Sequence, residues 1–206
     1  MIATRRIGPR LRVAWLPALA LVLSGSPAEA HLVTTGLGPV YDGISHFLTS
    51  PDDLVATFAL ALLAGQCGPD TARPALIVLP AAWLVGGLAG LSVASAHPPD
   101  LTWLIFMALG GLVAAQLRPP GAAVVTLASV LGLFKGFANG SAMGAAGAGI
   151  VWLIGVVTTV FVVTVIVAAS VVAARLPIAK IAVRVLGSWT TATGMLMLGW
   201  SLRYPG

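Results

Sequence analysis

The residues of this chain with the clearest chemical potential are carboxylates and imidazoles, which are the side chains that ligate metal ions. Asp42 and His46 are four positions apart in the segment Tyr41-Asp42-Gly43-Ile44-Ser45-His46. A helical or turn-like conformation puts their side chains on one face. This spacing suits either two metal ligands or a carboxylate that orients the imidazole behind a metal.

Other acidic and imidazole residues extend this group along the chain: His31, Asp52, Asp53, His97 and Asp100. Carboxylate oxygens and imidazole nitrogens are ligands for nickel, cobalt or zinc. Ser50-Pro51-Asp52-Asp53 is also a typical helix start, with a cap, a proline and acids at the positive end of the helix dipole. That role explains Asp52 fully and Asp53 in part, so the expected metal residues are His31, Asp42, His46 and Asp53.

Lys135 is the charged residue whose position is energetically most costly, because it lies in the apolar run from Val124 to Ala138. Asn139 follows four residues later on the same helical face. A charge at membrane depth costs a few kcal/mol on insertion scales unless it is paired, which makes Lys135 a functional candidate. If the helix ends near residue 138, the ammonium lies about one turn from the outer end, where snorkelling to water is the alternative.

Glycines recur every fourth residue around this lysine and form a glycine stripe. Such a stripe allows a second helix to approach closely, so packing is its expected role. Its members are Gly132, Gly136, Gly140 and Gly144.

The composition predicts a membrane protein. Hydrophobic residues make up 58% of the chain and charged residues only 8%, against about 25% charged residues in an ordinary soluble domain. The formal net charge is +5, but four of the eleven basic residues lie in the first twelve positions. The positive charge is therefore a targeting and topology signal, and no nucleic-acid partner is expected.

The first thirty residues have the pattern of a cleavable secretory signal. A basic stretch precedes an apolar core from Val13 to Leu23, and Ala28-Glu29-Ala30 is a typical cleavage site. The apolar core is about half the length that spans a bilayer. Cleavage would make His31 the first residue, and its free amine and imidazole could together chelate a metal. The alternative is that signal peptidase simply tolerates a histidine at that position.

The remaining chain, 31–206, predicts an all-α, polytopic bundle of six transmembrane helices with short breaks marked by proline, glycine or charge. The expected helices are 51–67, 74–96, 101–117, 121–138, 148–174 and 181–203. Threading them from an outer N-terminus places five basic residues inside and Arg203 outside, as the positive-inside rule requires. The expected location is a bacterial inner membrane with both mature termini periplasmic, and the candidate metal residues then fall on the outer side. The alternative to a metal site is that outer loops lack basic residues by this rule, so that acidic residues are conspicuous there for this reason alone.

The residues resemble the HupE/UreJ family of hydrogenase- and urease-associated membrane proteins, and are most similar to its second branch. The resemblance rests on residues 31–43, His46, residues 49–66, Lys135 to Gly140 and residues 184–189. It implies nickel or cobalt permease activity. In the better-known branch, a His-Pro and Asp-His motif and a later His-Gly pair bind metal. Here His46 matches the first histidine, Asp53 replaces the second, and Lys135 and Asn139 replace the later pair.

These replacements lead to a specific expectation, because a protonated lysine repels a divalent cation. Asp53 and Lys135 are expected to form an ion pair in place of the metal pair. Two functions remain open: uptake of a divalent metal, and a non-transporting scaffold or accessory subunit with a degenerate site. The bilayer is the one firm partner, no cofactor is firmly expected, and neither a homo-oligomer nor an accessory partner is specified by the residues. An enzyme is not expected, because the sequence has no nucleophile and base pair and no phosphate loop.

Overall fold

The computed structural model describes residues 35–93 and 99–203, and these form helices and short turns without a strand. The predicted signal peptide, His31 and His97 lie outside the described residues. Seven helices follow one another: α1 Pro39–Thr49, α2 Pro51–Gln66, α3 Pro69–Ser92, α4 Thr102–Ala114, α5 Gly121–Ala145, α6 Ile150–Ala173 and α7 Pro177–Arg203. The predicted all-helical class is confirmed for this part of the chain.

Helix α3 begins earlier than expected from the sequence. Gly68 has a φ of 100°, which turns the chain, and Pro69 occupies the first helical turn, where a missing N–H costs nothing. Pro74, at which the helix was expected to begin, lies inside it, as does Pro80. Neighbouring helices that pack against a transmembrane helix make such prolines tolerable.

Six membrane crossings were expected, and the described residues do not confirm that number. Four helices, α3, α5, α6 and α7, are long and apolar enough to cross a membrane by length and composition. Helices α1 and α2 pass together, but they are bent by 75° at the break between them and count as a fifth span only if they form one broken crossing. Helix α4 has 13 residues, or about 20 Å of length, which is short of a hydrocarbon core of about 30 Å. The sequence pattern located apolar segments but did not reveal their bends.

The glycine stripe of α5 lies against α3. A Cβ atom on Gly132 would come within 2.6 Å of the Leu79 carbonyl oxygen. The same atom on Gly136 or Gly140 would overlap the carbonyl oxygens of Trp83 and Gly87. At Gly144 the helices are further apart, and an added Cβ would lie 3.3 Å from the nearest atom. The absence of side chains therefore lets the two backbones touch along about two turns, from Gly132 to Gly140.

Two more helix pairs use glycine in the same way. Gly43 of α1 and Gly155 of α6 each face backbone of the other helix, while Gly187 of α7 packs on α4. Between these pairs, Phe47 and Trp83 are fully buried and their rings meet edge to face at 5.9 Å. These contacts pack α1 against α6 and α3, and α5 against α3, next to the polar side chains described below.

Candidate functional site: a polar cluster at a helix break

The site is built around the break between α1 and α2. Ser50 precedes a proline and has an extended backbone, with φ of −94° and ψ of 95°, because a residue before proline is disfavoured in the helical region. The Ser50 hydroxyl donates to the His46 carbonyl at 2.7 Å, and the Thr49 hydroxyl donates to the Ser45 carbonyl at 2.8 Å. Carbonyls left free at the end of α1 are thus satisfied. Ser50 is the N-cap residue of α2, as expected, but its side chain makes no capping hydrogen bond there.

Two aspartates in the first turn of α2 meet Lys135 of α5. The Lys135 Nζ lies 3.1 Å from an Asp53 carboxylate oxygen, and the two side chains are only 4% and 3% exposed. The structure therefore brings together the two residues whose pairing was expected. Lys135 also lies 2.7 Å from Asp52, whose side chain is 50% exposed. Asp52 was expected to act only at the helix start, and it does lie in the first turn of α2, but it also makes this contact across 83 positions.

Lys135 lies deeper than the sequence suggested. Helix α5 continues to Ala145, so Lys135 is ten residues from its end, about 15 Å along the axis. The stretch from Asn139 onward was expected to be a loop because it is rich in glycine and alanine. Close packing on α3 keeps it helical instead. Snorkelling at a helix end therefore does not explain this ammonium, which is buried and paired.

Asn139 and His46 extend the contacts of Asp53. The Asn139 amide donates to Asp53 Oδ2 at 2.7 Å, and its oxygen lies 3.3 Å from His46 Nε2. The His46 ring packs against the Trp152 ring with a centroid separation of 5.0 Å. We refer to Asp52, Asp53, Lys135, Asn139 and His46 as the polar cluster.

Thr102, at the start of α4, also contacts Lys135 and was not identified from the sequence. Its hydroxyl is 3.4 Å from Lys135 Nζ, and its backbone N–H donates to Asp100 Oδ1 at 2.9 Å. A lone threonine carries no sequence signal for such a contact. Asp100, one of the outer acidic residues, thus shapes the start of α4, which positions Thr102.

Asp42 is not part of the polar cluster. Its carboxylate accepts hydrogen bonds from the backbone N–H and the hydroxyl of Thr35, at 2.5 and 2.7 Å. Asp42 and His46 do share helix α1, but the imidazole is directed to Asn139. Among the described residues, no three His, Cys, Asp or Glu side chains form a group that could hold a metal. The wider set with His31 and Asp42 remains a prediction.

Two buried polar atoms without hydrogen-bond partners lie elsewhere on these helices. The Thr57 hydroxyl, on α2, and the Trp83 indole N–H, on α3, have no partner within the described part of the chain. Thr57 is one helical turn after Asp53, on the same face of α2. An unsatisfied buried hydroxyl costs roughly 1–3 kcal/mol, so Thr57 is a costly residue one turn from the polar cluster.

Comparison with known proteins gives one match. The family model described as HupE / UreJ protein matches residues 19–197. That range includes the whole polar cluster and the glycine stripe. No curated protein and no solved structure matches the chain significantly.

Proposed function

Because the chain belongs to the HupE / UreJ protein family, which consists of membrane proteins in nickel and cobalt handling, we propose that it takes up a divalent nickel or cobalt ion through the polar cluster. The cargo would be bound by the carboxylates of Asp52 and Asp53 with the imidazole of His46. Oxygen and nitrogen ligands of this kind suit both ions.

The observation that carries this proposal is the position of the polar cluster at a broken helix. Ion sites of many transporters lie where a transmembrane helix is interrupted, because the free ends of the two halves and nearby polar side chains can replace water around the ion. Here the 75° bend separates His46 on α1 from Asp52 and Asp53 on α2. Facing this bend is a lysine near the middle of α5. Ionisable residues at such depth are rare and generally functional.

The charges of the cluster suggest how binding is controlled. Two carboxylates surround one ammonium, so Lys135 occupies the position of a cation as a tethered competitor. An incoming divalent ion can bind the carboxylates only when the ammonium moves away or loses its proton, since two positive charges repel at close range. Lys135 would thereby neutralise the two carboxylates before the ion binds. Its return to them would then release the ion from the polar cluster.

The direction of transport is proposed from the distribution of basic residues. Five basic residues lie in or near the turns at the end of the bundle where α2 ends, opposite the polar cluster: Arg73, Arg118, Arg175, Lys180 and Arg184. The positive-inside rule places this end in the cytoplasm. The cluster then faces the periplasm of a bacterial inner membrane, and the metal moves inwards.

Uptake of radiolabelled nickel and cobalt into cells tests the proposal. We expect His46→Ala and Asp53→Asn to abolish the uptake that the wild-type chain supports. Asp70→Asn is the matched control, because Asp70 lies in the first turn of α3 at the other end of α2. Each variant is first shown to be present in the membrane in equal amount. Equal uptake by wild type, His46→Ala and Asp53→Asn would refute transport through this cluster.

A non-transporting scaffold is the second candidate, and one observation favours it. No group of three metal-ligating side chains is assembled in the described ranges, and Lys135 fills the space between the carboxylates. In a scaffold, the cluster would only hold α2 against α5. Wild-type uptake no higher than that of cells without the chain, together with loss of folding in Lys135→Met, would identify this role.

A further inference from the structure

A second polar site lies at the opposite end of α2 from the polar cluster. A cavity of about 260 Å³ opens where the α2–α3 turn meets the loops after α4 and α6. Helix α2 has 16 residues, which separates the two sites by about 24 Å. We call this cavity the basic cavity. Its polar lining includes Gln66, Cys67, Gln116, Arg118 and Lys180.

The basic cavity contains two cations and no carboxylate. Arg118 comes from the loop after α4 and Lys180 from the first turn of α7, so separate elements direct positive charge to one space. Neither lies within salt-bridge distance of an acid in residues 35–93 or 99–203. Asp70, the carboxylate closest along the chain, is not part of the lining. The positive charge in this cavity therefore has no protein partner in the described chain.

The loop that carries Arg118 is held in a defined shape. Gln116 has a φ of 53°, a left-handed conformation that is uncommon for a residue other than glycine. The Gln66 side-chain amide donates to the Leu117 carbonyl at 2.8 Å, and the Leu117 N–H donates to the Leu112 carbonyl at 3.0 Å. The first bond joins the loop to α2, and the second joins it to the end of α4. The backbone that carries Arg118 is thus held in place from both helices.

The remaining wall is apolar and is formed by valines of α6 and α7: Val171, Val172 and Val183. A free inorganic anion gains nothing from such a wall, because burying apolar surface requires an apolar partner. A phospholipid offers both parts, a phosphate diester for the cations and a glycerol and acyl region for the valines. Basic pockets between transmembrane helices are known to bind anionic head groups in this way.

From this combination we infer that the basic cavity binds the phosphate of an anionic phospholipid. The lipid would bridge the α2–α3 turn, the loop after α4 and the start of α7. These three segments make no ion pair with one another in the described chain, so the lipid supplies the charge that joins them. This inference does not depend on metal transport, since the two sites are at opposite ends of α2.

Cys67 provides a natural reporter, because it is the chain's single cysteine and lines the basic cavity. The full chain is reconstituted in vesicles of phosphatidylcholine alone, of phosphatidylcholine with phosphatidylglycerol, and of phosphatidylcholine with added inorganic phosphate. The rate of Cys67 alkylation by uncharged N-ethylmaleimide is then measured. We expect phosphatidylglycerol to slow alkylation roughly fivefold, because two basic residues near the membrane each favour anionic lipid. Inorganic phosphate is expected to have little effect.

Three variants separate a specific site from the general effect of vesicle charge. Arg118→Gln with Lys180→Gln should lose the protection, whereas the charge-conserving Arg118→Lys with Lys180→Arg should keep it. Arg175→Gln is the matched control, because Arg175 lies at the same end but does not line the cavity. Equal alkylation in all vesicles, or protection that persists in the Gln double variant, would overturn the inference. Protection by inorganic phosphate as strong as by phosphatidylglycerol would overturn the lipid assignment and leave a phosphate anion site.

Discussion

Replacing Lys135 by methionine should destabilise the protein strongly, because it leaves the buried Asp53 carboxylate without its ammonium partner. The two charged atoms are 3.1 Å apart, which corresponds to about 5 kcal/mol at an effective dielectric constant of about 20. Removing one partner of a buried ion pair costs roughly 3–5 kcal/mol. We expect Lys135→Met to lower the free energy of unfolding by that amount, and Asp53→Asn to have a comparable effect.

A double-mutant cycle isolates the interaction between these residues. Lys135→Met combined with Asp53→Asn should cost far less than the sum of the single changes, giving a coupling energy of about 3 kcal/mol. Asp52 is the internal comparison, because it lies closer to Lys135, at 2.7 Å, but its side chain is 50% exposed. Water and ions screen an exposed pair, so its coupling should be about 1 kcal/mol or less.

The free energies can be measured by dodecyl sulfate titration of the full chain in mixed micelles, with helix content followed by circular dichroism. We expect the longer contact, from Lys135 to Asp53, to have the greater coupling energy, because its burial outweighs a difference of a few tenths of an ångström. Coupling to Asp52 equal to or greater than coupling to Asp53 would refute it. Such a result would mean that water reaches Asp53 freely.

Three further changes test other features of the structure. Gly136→Ala should destabilise the protein by about 1–3 kcal/mol through overpacking against α3, whereas Gly111→Ala, whose added Cβ meets nothing within 4 Å, should be neutral or slightly stabilising; equal effects in thermal unfolding would contradict the packing role of the glycine stripe. Thr57→Val removes a buried hydroxyl without a partner and should raise stability by about 1 kcal/mol, while lowering nickel uptake if that hydroxyl lies on the ion's path. Burial raises the pKa of Cys67 and the nearby Arg118 guanidinium opposes this, so the pH midpoint of Cys67 alkylation should exceed that of an ordinary thiol, and Arg118→Gln should move it higher still; a midpoint that falls in the variant would contradict this assignment.

The sequence predicted the helical class and one partner of the buried lysine, Asp53, for clear physical reasons. Long apolar segments with few charges can satisfy their backbone in a membrane only as helices. A charge such as Lys135 within one of them needs an opposite charge, and few acids are available in the chain. The family resemblance placed Asp53 and Lys135 at corresponding motif positions. The pair of Asp53 and Lys135 therefore follows from the sequence without knowledge of the tertiary structure.

Other features could not be predicted, because they arise from contacts between distant segments. The end of α5 was expected near residue 138, since the glycines that follow weaken an isolated helix. Packing of the glycine stripe on α3 reverses that preference and places Lys135 far from the helix end. Thr102 lacks any local signal for its contact with Lys135. The separate helix α1 was recognised only as a helical or turn-like segment, and its bend relative to α2 was not anticipated.

The bend between α1 and α2 gives the departures from the family motif a consistent explanation. In a continuous helix, residues 46 and 53 would lie two turns apart on one face, fixed at about 10 Å. The break frees His46 from this spacing and allows Asn139 to join it to Asp53 through one amide. An amide accepts at one atom and donates at the other, so it can link a neutral imidazole to a carboxylate, which an imidazole at position 139 could do only in one tautomer. Asn139 thus keeps His46 and Asp53 in one network, while Lys135 supplies the positive charge beside Asp53.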